Sequence, residues 1–125
     1  MLNRNDAVAN IAVRNLAAAR KFYAGTLGLE EVDAEANELI VFRSGNTSLF
    51  VYRSDHAGTN RATAVTWMVG DEIENDVRAL KAKGVAFERY DVAGLKREGD
   101  LHVGGGMMIA WFKDPDGNIL SLVGG

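Results

Sequence analysis

Two histidines, His56 and His102, are the side chains of this sequence best suited to act as bases near neutral pH. His56 lies beside Asp55 in a polar stretch without periodicity, where we expect an ordinary solvent-exposed loop residue. His102 lies near Asp100 in a glycine-rich stretch, where it could reach over a binding surface or serve a structural role. A metal site made of these four residues would require two separate loops to converge. The sequence therefore assigns no catalytic residue.

Other motifs that could carry chemistry have simpler interpretations. The Gly104-Gly105-Gly106 run precedes strand-like residues rather than a helix N-terminus, so it is not a phosphate-binding loop. Asp114 and Asp116 lie in the segment DPDGN, where each residue suits a tight turn. The chain contains no cysteine, which excludes disulfides, thiolate metal sites and a cysteine nucleophile.

The element best placed to position a site is the stretch from Val13 to Leu29, a strand that leads into a short helix. Asn15 can cap the first helical turn with its side-chain oxygen, and apolar residues recur at helical spacing over residues 16–24. Gly28 allows the chain to leave the helix at positive φ. So short a helix is marginal alone, so we expect its apolar stripe to pack on a sheet.

The same pattern occurs a second time. Val69-Gly70-Asp71 repeats the strand end, Asp71 and Glu74 are spaced as a capping box, and Gly84 ends the second helix. The same offset of 56 residues separates Val13 from Val69 and Gly28 from Gly84. The chain therefore contains two copies of one structural unit.

The remaining segments complete each copy. A polar strand is predicted within residues 30–37, and a hairpin joins residues 39–43 to 48–53 through a Gly-Asn turn. In the second half, runs rich in β-branched and aromatic residues predict four strands, at residues 63–69, 85–90, 107–113 and 119–123. Residues 91–106 form the longest predicted loop, of a length often used for lids or binding loops. The result is two βαβββ units in an α+β fold.

Length and charge limit the possible partners. A chain of 125 residues predicts a single domain over residues 1–125, with module 1 at about 5–53, a linker at 54–62 and module 2 at about 63–125. The net charge of −3 does not suggest nucleic acid or an anionic membrane as partner. The beginning MLNRND lacks a signal-peptide core, and no apolar run approaches the length of a membrane span. We expect a cytoplasmic protein.

These segments resemble the vicinal oxygen chelate superfamily, which includes glyoxalase I, bleomycin-resistance proteins, fosfomycin-resistance enzymes and extradiol dioxygenases. The resemblance covers nearly the whole chain and is carried by VRNLAAARKFYAGTLGL, VGDEIENDVRALKAKGVAF and WFKDPDGNILSLV. It implies that each unit bends its mixed sheet into half an open barrel, with the helices outside and a cleft between the units. It also implies a homodimer.

The resemblance further implies four positions for the side chains that bind a divalent metal in catalytic members of the superfamily. Two lie five residues before Val13 and Val69, at Val8 and Ala64. The other two lie in the last strand of each unit, at Phe50 and Ser121. Valine, phenylalanine and alanine offer no lone pair, and serine is a poor ligand for a divalent cation. We therefore predict no metal and no other cofactor, as in a metal-free, bleomycin-resistance-like branch.

Strand alternation extends these four positions to a predicted ligand-binding surface. With His102 reaching in from its loop, the candidate ligand-binding residues are Val8, Asn10, Ser48, Phe50, Tyr52, Ala64, Thr66, Met68, His102 and Ser121. The opposite strand faces are uniformly apolar and should lie under the helices. One of Trp111 and Phe112 should also line the cleft, but the sequence does not decide which. Such a mixed surface suits a small, largely apolar organic molecule.

Three functions remain open at this point. The first is a metal-free module that binds a small organic molecule in the cleft. The second is an enzyme, a lyase, isomerase or dioxygenase, that uses His102, Tyr52 or Asp100 or has relocated its metal. The third is a dimeric scaffold whose cleft is filled by side chains.

Overall fold

The computed structural model describes all residues, 1–125, and the chain divides into two compact units. Unit 1 comprises Met1–Thr59 and unit 2 comprises Asn60–Gly125. The division falls within the predicted linker at residues 54–62. Each unit contains one α-helix and a mixed sheet, which confirms the predicted α+β class built from two βαβββ units.

Unit 1 is a four-stranded sheet with one helical segment. Its elements are a short 3₁₀ turn Leu2–Arg4, β1 (Ala9–Val13), α1 (Leu16–Arg20), a π-helical segment Lys21–Thr26, β2 (Glu30–Glu35), β3 (Leu39–Ser44) and β4 (Thr47–Arg53). The strand order is β1-β4-β3-β2. The first and last strands, β1 and β4, pair in parallel, whereas the other neighbours are antiparallel.

Local sequence signals explain the elements of unit 1. The Asn15 side chain accepts a hydrogen bond from the Ala18 N–H at 3.0 Å, which confirms the predicted N-cap. The predicted hairpin is also present, and its two-residue turn places Gly45 at a φ of 57°. The first helix differs from the expectation, because it widens after Arg20 into a π-helix, in which the Leu27 N–H bonds to the Phe22 carbonyl.

The core of unit 1 lies between its sheet and this helical segment. Alternate strand residues are buried on one face, and the Tyr23 ring lies 5.9 Å from the Phe42 ring. The buried strand residues are Ile11, Val13, Ile40, Phe42, Leu49 and Val51. The predicted core residues of β1 and β4 are thus confirmed.

Unit 2 repeats this plan with additional strands. Its elements are β5 (Thr63–Gly70), α2 (Ile73–Ala82), β6 (Phe87–Glu88), β7 (Lys96–Glu98), β8 (Leu101–Gly104), β9 (Met107–Lys113) and β10 (Ile119–Gly124). The main strand order is β5-β10-β9-β8-β7, and β6 pairs with β9. As in unit 1, the first and last strands, β5 and β10, pair in parallel.

The structure corrects three sequence expectations in unit 2. The predicted loop at residues 91–106 contains the hairpin β7–β8, which turns at Gly99 with a φ of 63°. The strand predicted at residues 85–90 is limited to Phe87–Glu88. The capping box is wrong, because α2 has Glu72 as its N-cap without a side-chain cap hydrogen bond. The Glu72 carboxylate instead accepts a hydrogen bond from the Asn75 side chain at 3.0 Å.

The core of unit 2 lies between its sheet and α2. Phe112 is fully buried and lies between the rings of Trp67 and Phe87, at centroid distances of 6.5 and 5.6 Å. Ile73 and Val77 of α2 are buried. Phe112 is therefore the core member of the Trp111–Phe112 pair. No helix in the chain is long and apolar enough to cross a membrane.

We predict that Gly124→Ala destabilises unit 2. A Cβ at this position would lie 2.2 Å from the Gly70 carbonyl oxygen and 3.0 Å from Ile73, so the backbone of β10 would have to move. Such overpacking typically costs about 1–3 kcal/mol of unfolding free energy, measurable by urea denaturation. Gly25→Ala is the matched control, since its added Cβ meets nothing within 4 Å. Equal stability of the two variants would contradict the prediction.

Candidate functional site

The sheet face of unit 1 that points away from its helical segment carries the predicted binding residues. Strand register places Asn10 beside Phe50, and Phe50 beside Val41. Tyr52 lies next along β4 and is 38% exposed. Val8 precedes β1 by one residue, and its carbonyl accepts a hydrogen bond from the Asn10 side chain at 3.4 Å.

One ion pair lies beside this face of unit 1. Arg43 is paired in register with Ser48, and its guanidinium lies 3.7 Å from the Glu30 carboxylate. Both side chains of this ion pair are largely exposed. The face therefore presents aromatic and amide groups beside a neutralised ion pair.

In unit 2 the corresponding face is crossed by a row of three residues on neighbouring strands. Thr66 of β5 pairs with Ser121 of β10, which in turn pairs with Trp111 of β9. The hydroxyl oxygens of Thr66 and Ser121 are 2.7 Å apart and share a hydrogen bond. Ser121 is only 2% exposed, whereas Thr66 is exposed. The accessible hydroxyl of this pair is therefore that of Thr66.

A bulge in β5 adds a residue that the sequence did not indicate. The register shifts between the pairs Thr63–Ile119 and Val65–Leu120, which leaves Ala64 as the extra residue. Thr63 then accepts a hydrogen bond from the indole N–H of Trp111 at 3.1 Å. Trp111 therefore lies on the open face, on the side of Thr63 and Thr66. The Tyr90 ring lies 5.4 Å from that of Trp111. We call Thr63, Thr66, Tyr90, Trp111 and Ser121 the Trp111 face.

His102 is buried on the Trp111 side of the sheet, in register with Ile109, and does not lie in an exposed loop. It belongs to β8 and is 0% exposed. Its Nε2 accepts a hydrogen bond from the Tyr90 backbone N–H at 2.9 Å, and its Nδ1 lies 3.3 Å from the Ile109 carbonyl oxygen. This pairing corresponds to the tautomer with the proton on Nδ1. Because both ring nitrogens bind backbone groups, His102 offers neither a free base nor a metal ligand.

The rings of His102 and Tyr90 hold Trp111 in place. The centroid of Trp111 lies 4.6 Å from that of His102 and 5.4 Å from that of Tyr90, both in edge-to-face geometry. Burial raises the pKa of the Tyr90 phenol above its ordinary value of 10.0, and the Glu88 carboxylate raises it further. The phenol therefore keeps its proton at neutral pH. Glu88 itself lies 3.4 Å from the Lys113 ammonium.

The other residues considered for chemistry serve local roles. Asp100 bonds to Lys81 at 2.6 Å and lies 3.6 Å from Arg89. The Lys81 hydrogen bond, more than the nearby positive charges, lowers the pKa of the Asp100 carboxyl below its ordinary value of 3.8. Asp114 accepts hydrogen bonds from the backbone N–H groups of Asp116 and Asn118, as the turn prediction requires. His56 is exposed.

The residues at the four implied metal positions do not fit a divalent ion. Val8, Phe50 and Ala64 have hydrocarbon side chains, and the buried Ser121 hydroxyl is bonded to Thr66. No group of three or more His, Cys, Asp or Glu side chains is arranged to hold a metal ion anywhere in residues 1–125. The side chains at these four positions therefore cannot serve as the ligands of a divalent metal. That the protein is metal-free is a prediction.

The remaining predicted residue, Met68, is largely exposed. It is 78% exposed and follows Thr66 on the same face of β5, in register with Val123. The structure thus brings Thr66, Met68 and Ser121 together on one face of unit 2. Trp111 and Thr63 complete that face, and sequence reasoning had left Trp111 undecided and Thr63 unassigned.

Two mixed sheets, each with a parallel first and last strand and a crossover helix, define a protein of paired βαβββ units. A sequence model described as the Glyoxalase/Bleomycin resistance protein/Dioxygenase superfamily matches residues 6–122. The chain belongs to this superfamily. Among curated proteins, none matches the sequence.

Solved structures share this fold at low sequence identity. A lactoylglutathione lyase from Agrobacterium tumefaciens is 18% identical, with a TM-score of 0.73 over 96% of this chain and 92% of that one. The fosfomycin resistance protein FosX from Listeria monocytogenes, complexed with Mn(II) and sulfate, is 17% identical, with a TM-score of 0.74 over 100% and 92%. An integron cassette protein from the Halifax Harbour sewage outfall is 20% identical, with a TM-score of 0.72 over 94% and 95%. At these identities the likeness shows the fold alone.

We predict that His102→Ala destabilises the protein by about 2–4 kcal/mol. The change removes a buried ring and leaves the Tyr90 N–H and the Ile109 carbonyl without their hydrogen-bond partner. Urea unfolding followed by circular dichroism measures the loss. His56→Ala is the control, because the only other histidine is exposed and should change stability by less than about 0.5 kcal/mol. A loss for His102→Ala no larger than that of the control would show that the buried ring is dispensable.

Proposed function

We propose that this protein is a metal-free member of its superfamily that binds a small, largely apolar organic molecule. The observation that carries the proposal is the composition of the open sheet faces at the family's metal positions. There, Phe50 and Val8 present hydrocarbon, and Ser121 directs its hydroxyl to Thr66. These groups suit an apolar ligand oriented by a few hydrogen bonds rather than a cation.

Ligand binding by the open faces is supported by their exposure. Tyr52 and Met68 are among the large apolar side chains that remain exposed, whereas Leu49 and Val51 beside Tyr52 are buried and Trp67 beside Met68 is partly buried. An aromatic ring with a hydroxyl can both stack on a ligand and orient it. Binding rather than catalysis is favoured because the residues considered as bases or acids are engaged elsewhere, His102 by backbone groups and Asp100 by Lys81.

The cellular setting is part of the same proposal. We propose that the protein acts in the cytoplasm as a homodimer, without nucleic acid or membrane as partner. The small net charge of −3 supports the absence of a polyanionic partner. The dimer is an inference from the family, and the edge strands that an assembly could cover are β1 and β2 in unit 1 and β5 and β7 in unit 2.

We predict that the purified protein binds no divalent metal in stoichiometric amount. The protein is stripped with a chelator, dialysed separately against Mn²⁺, Zn²⁺, Ni²⁺ and Fe²⁺, and subjected to elemental analysis. We expect well below one ion per chain, because three of the four family positions lack a donor atom in their side chains. One tightly held ion per chain would contradict the proposal and direct attention to a relocated metal.

We predict that fragment-sized organic molecules bind to the open faces. In a screen by protein-observed NMR, chemical-shift changes should cluster on residues of β4, β5, β9 and β10. Fragments that bind to unit 1 should bind more weakly to the Tyr52→Ser variant. Val32→Ser is the matched control, since Val32 is 39% exposed and Tyr52 is 38% exposed. Failure of every fragment to bind would favour the scaffold alternative. Hits confined to the helices would contradict the proposed surface.

A further inference from the structure

We infer that the Trp111 face recognises a planar, uncharged aromatic compound of two or three fused rings that carries one hydroxyl or carbonyl group. This inference rests on the proposed function and specifies the class of ligand for unit 2. It is derived from three features of the face: a fixed aromatic ring, an accessible hydroxyl at a defined distance from it, and balanced charge beside it.

The first feature is the immobility of Trp111. Its indole N–H is bonded to Thr63 at 3.1 Å, and the rings of His102 and Tyr90 contact it edge to face. His102 is in turn fixed through both ring nitrogens. Trp111 nevertheless retains part of its surface exposed. An aromatic ring that is already ordered loses little entropy when a ligand stacks on it, so stacking here contributes efficiently to affinity.

The second feature is the separation between Trp111 and the accessible hydroxyl. Thr66 lies two strands away from Trp111, with Ser121 between them. The indole of Trp111 crosses β10, because its N–H bonds to Thr63 of β5, and Thr66 lies three residues further along β5. At about 3.3 Å per residue, the two threonines are at most about 10 Å apart. Ser121 can exchange only one hydrogen bond with Thr66, which leaves the Thr66 hydroxyl a further proton or lone pair for a ligand. A fused-ring compound stacked at Trp111 spans this distance and places a polar substituent at Thr66.

The third feature is the charge beside the ring. Glu88 is paired in register with Trp111, and Lys113 lies two residues further along β9. Their charged groups are 3.4 Å apart and neutralise each other. The Tyr90 phenol is protonated at neutral pH because its pKa is raised. A ligand with a full charge would be desolvated here without a partner, which costs free energy, so an uncharged ligand is preferred.

Three probes of similar size test the inference on the wild-type protein. The probe 2-naphthol is planar, aromatic and neutral, 2-naphthoate adds a negative charge, and 2-decalol keeps the hydroxyl but is saturated. Dissociation constants are measured by ligand-observed NMR titration. We expect 2-naphthol to bind at least tenfold more tightly than either of the other two probes. Equal or tighter binding of 2-decalol or 2-naphthoate would overturn the inference.

Variants locate the site. Trp111→Leu should weaken 2-naphthol binding at least tenfold, and Thr66→Val should weaken it about threefold to tenfold. Trp67→Phe is the control, because Trp67 stacks on Phe112 on the opposite side of the same sheet, and it should leave binding unchanged. Circular dichroism and thermal unfolding confirm that each variant is folded. Should Trp111→Leu not fold, Thr66→Val still decides the outcome, because the Thr66 side chain is exposed and its replacement is better tolerated.

The outcomes separate this inference from the proposed function. If 2-naphthol binds equally well to wild type, Trp111→Leu and Thr66→Val, the inference is wrong, while small-molecule binding stands. If none of the three probes binds but fragments bind to the open faces, the ligand class is wrong and the function stands. If neither probes nor fragments bind, both fail.

Discussion

The parallel pairing of the first and last strands in each unit is the constraint on which the rest of the structure depends. Parallel neighbours cannot be joined by a tight turn, so the chain must cross over between them, and here part of each crossover is a helix. The helix covers one face of the sheet only. Strand alternation then divides each strand into residues that build the core and residues that face outwards. The pairs Asn10–Phe50 and Thr66–Ser121 are consequences of this register.

The open faces are chemically distinct from a metal-binding site of the same fold. A cation requires several lone pairs that converge, whereas Thr66 and Ser121 direct their hydroxyls at each other. Trp111 and Phe50 add apolar surface that cannot compensate a charge. The outcome is a surface that can accept or donate a hydrogen bond and stack on a ring. The difference from a metal centre thus arises from side-chain type, with the backbone pairing unchanged.

Most of the fold follows from local sequence signals, whereas the details of the site depend on pairing. Asn15, Gly45 and the strand alternation predict their elements because each acts over a few residues. His102 could not be placed, because the short, charged hairpin β7–β8 has no clear alternation and is formed by its pairing with β9. The bulge at Ala64 likewise leaves no sequence signal. The turn at residues 114–118 could have shown which face Trp111 lies on. It pairs Lys113 with Ile119, and the antiparallel register then pairs Trp111 with Ser121, so the two side chains share a face.

The separation of each strand into a core set and an outward set has an evolutionary consequence. Replacement of the buried Leu120 or Leu122 by a smaller residue would leave a void in the core of unit 2, so these positions are constrained by folding. Their neighbour Val123 and the exposed Met68 are less constrained by folding. Point substitutions on the outward face can therefore replace an ion-binding surface by an apolar one with little change in the free energy of unfolding. Duplicated units double this freedom, since each has its own core and can specialise independently of the other.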